Sequence, residues 1–440
     1  ALDRAMAHAR ALGRPLLVFE PLRRGYRWAS ARVHQFVVDG MADQARALGA
    51  AGVTYLPYVE PEDGAGKGLL AALAAHAAVV VTDVFPAFFL PKMLASARVD
   101  ARLEAVDGYG LLPLGATDRV YTTAASFRRH LHKVLPPHLE RFPSPSPLAG
   151  YDLGRAQVPA EISARWPAAD LHDPQGVGRL GLPGPAPVAV TGGARAGARA
   201  VDTFFASRLA RYLDRNEPDA DAASGLSPYL HFGHVSAHEV VARVLATEGW
   251  TPERLGPVTG SREGWWGLSP PAEAFLDELV TWREVGAAFC RHEPRYDQFD
   301  TLPGWARATL AAHAADRRPV VYELDALAAA TTHDPVWNAA QRQLVAEGRI
   351  HNYLRMLWGK KVLEWSPSPE AAWEVLIELN NRFALDGRDA NSYAGIGWTF
   401  GRFDRAWGPE RPIYGTVRYM SSDNTRRKLA LTNTLARWGR

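Results

Sequence analysis

The spacing of apolar and polar positions divides the chain into two regions. Up to about residue 125, a helical pattern over 1–13 is followed by apolar runs at 15–19, 53–57 and 78–83, with amphipathic stretches between them. Strands that alternate with helices predict an α/β domain built on a doubly wound parallel sheet. Such a fold normally opens with a strand, so we expect the first strand to be missing here.

Strand patterns disappear in the second region. From about residue 199 the apolar positions follow the helical period, over 203–213, 238–247, 272–289, 337–365 and 369–380. Nine prolines and no sustained period mark 141–190. We therefore predict an α/β domain over 1–130, a Pro-rich linker over 131–198 and an all-α domain over 199–440. The stretch 255–271, with its adjacent Trp265 and Trp266, is predicted to be an inserted loop.

Composition and cysteine content narrow the class of protein. The 440 residues are 47% hydrophobic and 22% charged, which is typical of a globular protein with a large core. The most apolar stretch, 71–90, is interrupted by His76, Asp83 and Pro86, so no membrane span is expected. A single cysteine, Cys290, excludes a disulfide within the chain and a cysteine-based metal site. We expect a cytoplasmic monomer that binds no metal.

The net charge of +3 is unevenly distributed. Residues 401–440 contain nine Lys or Arg against three acids, and Trp398 and Trp407 are interleaved with the arginines. Cations that follow phosphates and aromatic rings that stack on bases favour a nucleic-acid partner. A solvated basic tail is the alternative.

Three tryptophans suggest a redox function. Trp358 and Trp365 are seven residues apart, which places them on one helical face, and Trp337 precedes them. A row of these easily oxidised rings can carry an electron to a buried cofactor, although aromatic residues at helical spacing usually form a core. The same face carries His351 and Arg355, and a buried guanidinium needs a partner that simple packing does not supply.

Two loops are candidates for ligand binding, and one of them is also a candidate to supply the acid that pairs with Arg355. The small-residue turn 224–233 leads into a helix and can hold a diphosphate with its amides and hydroxyls, or it is a plain helix cap. The loop 384–389 contains Asp386 and Asp389. Asp386 either pairs with Arg355 or caps a turn.

Several ordered runs between residues 227 and 419 resemble the photolyase/cryptochrome family, and in particular the class II cyclobutane pyrimidine dimer photolyases. The matching runs are SPYLHFG at 227–233, THDP at 332–335, WNAAQ at 337–341, HNYLRM at 351–356, WGKK at 358–361, LDGRD at 385–389, ERPIYG at 410–415 and VRYM at 417–420. The likeness over 1–130 is weaker but collinear.

The resemblance implies a non-covalent FAD in the helical domain and assigns roles by position. Trp358 would be the tryptophan nearest the flavin, Trp337 the middle one and Trp365 the exposed one. Glu284 would hydrogen-bond the dimer, and Asn380 would face flavin N5, so these two are the implied catalytic residues. The implied FAD contacts are Tyr212, Ser224, Leu226, Ser227, Arg283, Asn352, Arg355, Asn380 and Asp386. The implied contacts with the flipped-out dimer and DNA are Met356, Trp398, Arg405, Arg411 and Arg418.

The resemblance also implies an activity: light-dependent repair of UV-damaged DNA by a deoxyribodipyrimidine photo-lyase. The pyrimidine dimer must flip out of the DNA duplex, because a flavin cannot reach a lesion inside it. A cryptochrome-like blue-light photoreceptor with the same FAD and tryptophans is the alternative. Glu284 and Trp398 favour repair, whereas Ala288, Phe403 and Thr416 depart from the family pattern and favour the photoreceptor. An antenna chromophore, a deazaflavin or a folate, is a further expectation.

Overall fold

The computed structural model describes residues 1–439, and its strands form two parallel pairs. β1 (Leu17–Leu22) pairs with β2 (Thr54–Val59), and β3 (Val79–Asp83) pairs with β4 (Arg102–Val106). The parallel pairing agrees with the prediction. The prediction of one doubly wound sheet is not met, because within residues 1–439 the pairs form two separate two-stranded sheets. β4 was not predicted, since charged Arg102 and Glu104, which are ion-paired at 2.7 Å, interrupt its apolar pattern.

Helices surround these strands and continue through the proline-rich stretch. Thr123 caps one of them with a reciprocal capping box, in which its hydroxyl accepts the Ser126 N–H. The helices of the first 210 residues are α1 (Leu2–Leu12), α2 (Ala31–Ala50), α3 (Leu69–Ala74), α4 (Leu90–Ser96), α5 (Ala124–Val134), α6 (Pro136–Leu139), α7 (Ala160–Arg165), α8 (Gly176–Arg179) and α9 (Ala194–Ser207). The helix predicted over 203–213 is therefore the end of α9 followed by a 3₁₀ segment, Leu209–Asp214.

The rest of the described chain consists of helices joined by loops, and no strand follows β4 among residues 1–439. These helices are α10 (Ser227–His231), α11 (Ala237–Thr247), α12 (Pro270–Leu276), α13 (Arg283–His292), α14 (Gly304–Ala312), α15 (Leu324–Ala328), α16 (Pro335–Glu347), α17 (Asn352–Trp365), α18 (Pro369–Phe383), α19 (Ala390–Thr399), α20 (Ser422–Lys428) and α21 (Thr432–Trp438). Within residues 1–439, no helix is both long enough and apolar enough to cross a bilayer.

Two of the predicted long helices are interrupted. The prediction of one helix over 337–365 is wrong, because α16 ends at Gly348, whose φ of 67° is left-handed, and α17 starts at Asn352. The second interruption is a turn of π-helix, Asp277–Trp282, between α12 and α13. A π turn accommodates an extra residue in a helix and commonly occurs at functional sites.

Arg32 of α2 connects the N-terminal half to the helical half. Its buried guanidinium donates to the carbonyls of Leu344 at 3.4 Å, Val345 at 2.5 Å and Phe383 at 2.7 Å, which belong to the last turns of α16 and α18. Burial lowers the pKa of Arg32 to about 10. The group therefore stays protonated at neutral pH and complements the negative ends of two helix dipoles.

The predicted inserted loop contributes to the core. Trp265 and Trp266 are buried, and the Trp265 ring stacks on His132 of α5 with centroids 4.2 Å apart. Arg128 of the same helix forms a buried ion pair with Asp277 at 2.8 Å. The loop thus joins α5 to the π turn that precedes α13.

Candidate functional site

One face of α17 is accessible, although most of the helix is buried. Asn352 is exposed, and Arg355 and Met356 are partly exposed. These residues lie three and four positions apart, so their side chains share one helical face. An accessible face with polar side chains and a methionine, on an otherwise buried helix, is typical of the wall of a ligand cavity.

Arg355 meets the acid predicted for it. Its Nη2 lies 3.3 Å from each carboxylate oxygen of Asp386, which follows α18. The pair was predicted to be buried, but 26% of the Arg355 side chain remains exposed. The exposed part of Arg355 lies at the accessible face of α17, where a ligand can reach it.

Asn380 lies in the last turn of α18 with its amide buried. Its Nδ2 donates to Asn381 Oδ1 at 3.3 Å, and that oxygen also accepts the Arg388 N–H at 2.8 Å. Arg388 is buried at a φ of 66°, and its guanidinium donates to carbonyls at the end of α18. These contacts hold Asn380 and the Asp386 loop in a fixed relation.

The Ser224–Ser227 turn lies among arginines. Gly225 adopts a φ of 71°, and a Cβ built there would lie 3.5 Å from Arg349 Nη1 and 3.9 Å from Arg208 Nη1. Leu226 is buried, Ser224 is partly buried and Ser227 is exposed. A glycine turn flanked by two guanidinium groups has the chemistry of an anion site.

A second group of polar residues near this turn involves Tyr212. Burial raises the pKa of Tyr212, and the charge of nearby Glu278 raises it further. Glu278 accepts from Arg215 at 3.3 Å, and burial raises the pKa of this carboxyl as well. His351 Nδ1 and Arg215 Nε are buried without a hydrogen-bond partner among residues 1–439. Buried polar atoms without a partner can be satisfied by a polar ligand or by water.

The three tryptophans form a continuous row. Trp358 and Trp337 are nearly parallel, with centroids 6.4 Å apart, and Trp337 meets Trp365 edge-on at 5.6 Å. The order 358, 337, 365 is the predicted one. The expectation that Trp365 is exposed is wrong, because its exposure is 1%, against 0% for Trp337 and 3% for Trp358. The side chains of Tyr322, His333 and Lys361 cover it.

Arg283 and Glu284 bind the backbone of the segment Tyr109–Leu112. Arg283 donates to the Tyr109 carbonyl at 2.6 Å and stacks on the Tyr109 ring. Both oxygens of Glu284 accept backbone N–H groups, from Leu111 at 2.6 Å and Leu112 at 3.1 Å. Burial raises the pKa of Glu284 to about 7. These two side chains hold the segment Tyr109–Leu112 against α13, whereas the sequence predicted that they face the ligand.

Glu278 is the acid that the sequence interpretation overlooked. It lies in the π turn, with about a third of its side chain exposed, beside Arg215 and Tyr212. One available signal was the presence of two consecutive acids, Asp277 and Glu278, between the apolar pairs 275–276 and 279–280. The other was that a strict helical period does not extend across 277–282.

The predicted DNA contacts converge on a surface of arginine and tryptophan, consisting of Trp398, Arg405, Trp407 and Arg418. The Arg418 guanidinium lies 3.9 Å from the Trp407 ring and 5.6 Å from the Trp398 ring, and Arg405 lies 4.2 Å from Trp407. Asp404 binds Arg418 at 2.9 Å. Arg411 lies apart from this group, over Tyr419 at 4.8 Å.

A buried lysine lies against the inner side of this arginine–tryptophan surface. Lys360 Nζ lies 4.9 Å from the Trp398 ring and donates to the Thr399 carbonyl at 2.5 Å. Burial lowers the pKa of Lys360 to about 7. The orientation of Trp398 therefore depends on an ammonium group in the interior.

Comparison with known proteins identifies the family of the chain. The chain is 31% identical over 437 residues to a deoxyribodipyrimidine photo-lyase of Methanothermobacter thermautotrophicus, covering 98% of this chain and 89% of the relative. It is 32% identical to the enzyme of that name from Oryza sativa, covering 97% of this chain and 82% of the relative. The chain belongs to the photolyase/cryptochrome family. No family model matches the sequence.

Solved structures of photolyase/cryptochrome proteins share the fold. A class III photolyase from Agrobacterium tumefaciens superimposes with a TM-score of 0.64 at 19% identity, over 91% of this chain and 77% of its own. A cryptochrome from Synechocystis gives a TM-score of 0.68 at 15% identity, over 99% and 85%. The resemblance at family level and the interpretation as a photo-lyase enzyme are confirmed. Assignment to class II stays a prediction.

The described residues fit the flavin dinucleotide that photolyase/cryptochrome proteins bind. The arginine-flanked turn at Gly225 suits a diphosphate, and the partnerless His351 Nδ1 and Arg215 Nε suit a polar ligand nearby. Arg355 and Asp386 suit an aromatic ring system with hydrogen-bonding edges. The tryptophan row ends in Trp358, on the same helix as Arg355.

Proposed function

We propose that this protein repairs UV-damaged DNA in a light-dependent reaction that splits cyclobutane pyrimidine dimers, with non-covalently bound FAD. When bound, reduced FAD supplies, under blue or near-UV light, the electron that opens the cyclobutane ring. The protein contributes binding, orientation and electrostatics. The observation that carries the proposal is the row of three tryptophans that ends on α17, the helix with the accessible Asn352, Arg355 and Met356.

The FAD is proposed to lie between the Ser224–Ser227 turn and the Asp386 loop. Arg208 and Arg349 would neutralise the diphosphate, with Tyr212, Leu226 and Asn352 as further contacts. Asp386 holds the Arg355 guanidinium in place, so that Arg355 can donate to the ring system. Asn380, fixed through Asn381, would offer its amide to the reactive edge of the ring.

The tryptophan row is proposed to supply the electrons that reduce the oxidised cofactor. Trp358, at the inner end of the row, would be the donor to the cofactor, and Trp337 and Trp365 would stand behind it in that order as the donors to Trp358 and Trp337. The contacts of 6.4 and 5.6 Å support this order. The indole N–H groups are held by Gln341 and by the Trp358 carbonyl, so the rings keep their spacing.

A carboxyl at the lesion must have an oxygen or proton free to bond the dimer, and Glu278 meets this condition better than Glu284. Glu284 uses both oxygens on backbone amides, and a Cβ at Gly110 would lie within 2.6 Å of it. Glu278 is partly exposed beside the proposed cofactor residue Tyr212, and Arg215 occupies one of its carboxylate oxygens. A donor aimed at developing charge is a common source of rate. We therefore propose Glu278 as a second candidate for the dimer-binding role, beside Glu284.

DNA is proposed to dock on the arginine–tryptophan surface. Trp398 and Met356 would contact the flipped-out dimer, while Arg405, Arg411 and Arg418 would follow the phosphates. The guanidinium groups that already stack on Trp407 and Trp398 keep these rings upright in water.

The remaining sequence-based expectations are also proposals. They are a three-part layout with domains over 1–130 and 199–440 joined by 131–198, a class II assignment, a monomeric state, a cytoplasmic location and an antenna chromophore. Helix α5 (Ala124–Val134) crosses the proposed boundary at residue 130. A boundary after α6 is therefore a better place to divide the chain.

Illumination of the purified, reduced protein with a dimer-containing oligonucleotide tests the function directly. We expect dimers to disappear under blue light and to persist in the dark, as measured by chromatography of the oligonucleotide. Undamaged DNA and oxidised protein are the controls. Photoreduction of FAD without any dimer loss would instead support the cryptochrome-like photoreceptor, and a protein that binds no flavin would contradict both functions.

A further inference from the structure

Tyr322 and His333 form a hydrogen-bonded pair at the outer end of the tryptophan row. The Tyr322 ring meets Trp365 edge-on, with centroids 5.5 Å apart, and the Tyr322 N–H donates to the Trp365 carbonyl at 3.1 Å. The Tyr322 hydroxyl lies 2.7 Å from His333 Nδ1. His333 is exposed and Tyr322 is partly exposed, whereas Trp365 is buried.

The hydrogen bonds give the phenol a defined direction. The Tyr322 oxygen accepts the backbone N–H of His333 at 2.9 Å, and its own proton is donated to His333 Nδ1, 2.7 Å away, when the imidazole is the Nε2–H tautomer. His333 then carries its ring proton on Nε2, at the solvent side, and Nδ1 is the acceptor. A phenol bonded to a neutral imidazole can lose an electron and a proton together.

We infer that Tyr322 is the terminal electron donor of the row and that His333 accepts its proton. This rests on the proposed photoreduction of FAD. The oxidised Trp365 takes one electron from Tyr322, the O–H bond breaks, and the proton moves to His333 Nδ1. The products are a neutral Trp365, a neutral tyrosyl radical and an imidazolium that can release its proton to water.

Electrostatics favour this step. A positive charge left on Trp365 would be buried, 5.5 Å from the Lys361 ammonium, which is paired with Glu364 at 2.7 Å. Transfer to Tyr322 removes the charge from Trp365 and delivers it as a proton to an exposed histidine. Because Trp365 is buried, an external reductant cannot contact its ring, and the oxidised ring must be reduced by a neighbouring residue.

Transient absorption of the flavin-loaded protein tests the inference through the radicals rather than through repair. In the wild type we expect the tryptophan radical signal to convert into a tyrosyl signal, with slower conversion in D2O. Tyr322→Phe should abolish the tyrosyl signal and prolong the tryptophan signal. His333→Gln should slow the conversion by at least about tenfold, because a positioned base typically contributes about 10²–10⁴-fold.

Two further measurements make the outcome decisive. Tyr58→Phe, in β2, is the matched control and should behave as the wild type. Oxidation of the flavin-free protein by a flash-quenched ruthenium complex should give the same Tyr322-dependent tyrosyl signal by electron paramagnetic resonance. A tyrosyl signal of unchanged yield in Tyr322→Phe overturns the inference. If the ruthenium experiment shows the Tyr322-dependent signal but light produces no radicals in the flavin-loaded protein, Tyr322 remains the donor and the proposed function fails.

Discussion

Trp337 and Trp358 lie 6.4 Å apart with planes only 6° from parallel, and backbone and amide groups hold both indole N–H groups. Trp337 Nε1 donates to the Trp358 carbonyl at 3.0 Å, and Trp358 Nε1 donates to Gln341 Oε1 at 2.9 Å. The rings belong to different helices, α16 and α17. Their spacing therefore depends on the packing of two helices and is fixed twice over by hydrogen bonds.

The first prediction concerns this pair. Trp358→Phe should abolish photoreduction of oxidised FAD, because it removes the ring nearest the proposed cofactor, while chemically reduced protein should still repair DNA. Photoreduction is followed by flavin absorbance under illumination with an external reductant. Trp373→Phe is the matched control, since Trp373 is equally buried but packs on Phe299 and Phe400. Normal photoreduction by Trp358→Phe would show that electrons take another route.

The second prediction concerns cofactor binding. Asp386→Ala should lower flavin occupancy and reduce the free energy of unfolding by about 1–3 kcal/mol, between the effects expected for exposed and buried ion pairs. Bound flavin per chain and urea titration measure the two effects. Asp300→Ala removes an exposed partner of Arg295 and should change neither. Full flavin occupancy in Asp386→Ala would exclude the pair from the site.

The third prediction separates the two glutamates. Glu278→Gln should reduce the repair yield per absorbed photon and leave thermal stability nearly unchanged. Glu284→Gln should cost about 1–3 kcal/mol of stability, because its amide would face a backbone N–H, and should leave the yield of the folded protein intact. The opposite result, a stable Glu284→Gln protein with a low yield, would assign the dimer-binding role to Glu284.

The fourth prediction is a pH dependence from Lys360. Its pKa is lowered to about 7 in the folded protein and is 10.5 in the unfolded chain. Between these values the unfolded state binds more protons, so stability rises with pH. The free energy of unfolding of the wild type, measured relative to Lys360→Met, should increase from pH 7 to pH 9 by at most about 1.4 kcal/mol per unit. A constant difference would mean that the ammonium stays charged, held by the Thr399 carbonyl.

The fifth prediction concerns DNA. Arg418→Ala should weaken binding to damaged and undamaged DNA alike and reduce the salt dependence, because it removes a phosphate contact. Trp398→Ala should chiefly remove the preference for dimer-containing DNA. Fluorescence anisotropy at several salt concentrations measures both. Arg98→Ala, at an exposed site in the N-terminal half, should bind DNA as the wild type does. Equal wild-type affinity for both DNAs would favour the photoreceptor function.

Hydrophobic periodicity was sufficient to predict most of the fold. It identified β1, β2 and β3, and it predicted a helical second half. It missed β4, where Arg102 and Glu104 hide the strand pattern, and it joined α16 to α17 across Gly348. A single left-handed glycine ends a helix without changing the apolar spacing around it, so periodicity alone cannot detect the break.

The family resemblance anticipated some contacts between elements and not others. The order of the tryptophans and the Arg355–Asp386 pair follow the sequence-based expectations. Glu284 was predicted to face a ligand, yet it binds amides of Leu111 and Leu112, some 170 residues away in the chain. The π turn at Asp277–Trp282 rotates the residues on either side of it, so helical counting from Glu284 could not find Glu278.

Arg32 makes the N-terminal half part of the support of the proposed electron-transfer residues. Its one guanidinium holds the ends of the helices that carry Trp337 and Asn380. Loosening of the α/β region would therefore tilt both helices and change ring spacings more than 300 residues away in sequence. A shortened chain built from the helical half alone would keep every proposed flavin contact and still lose the alignment on which electron transfer depends.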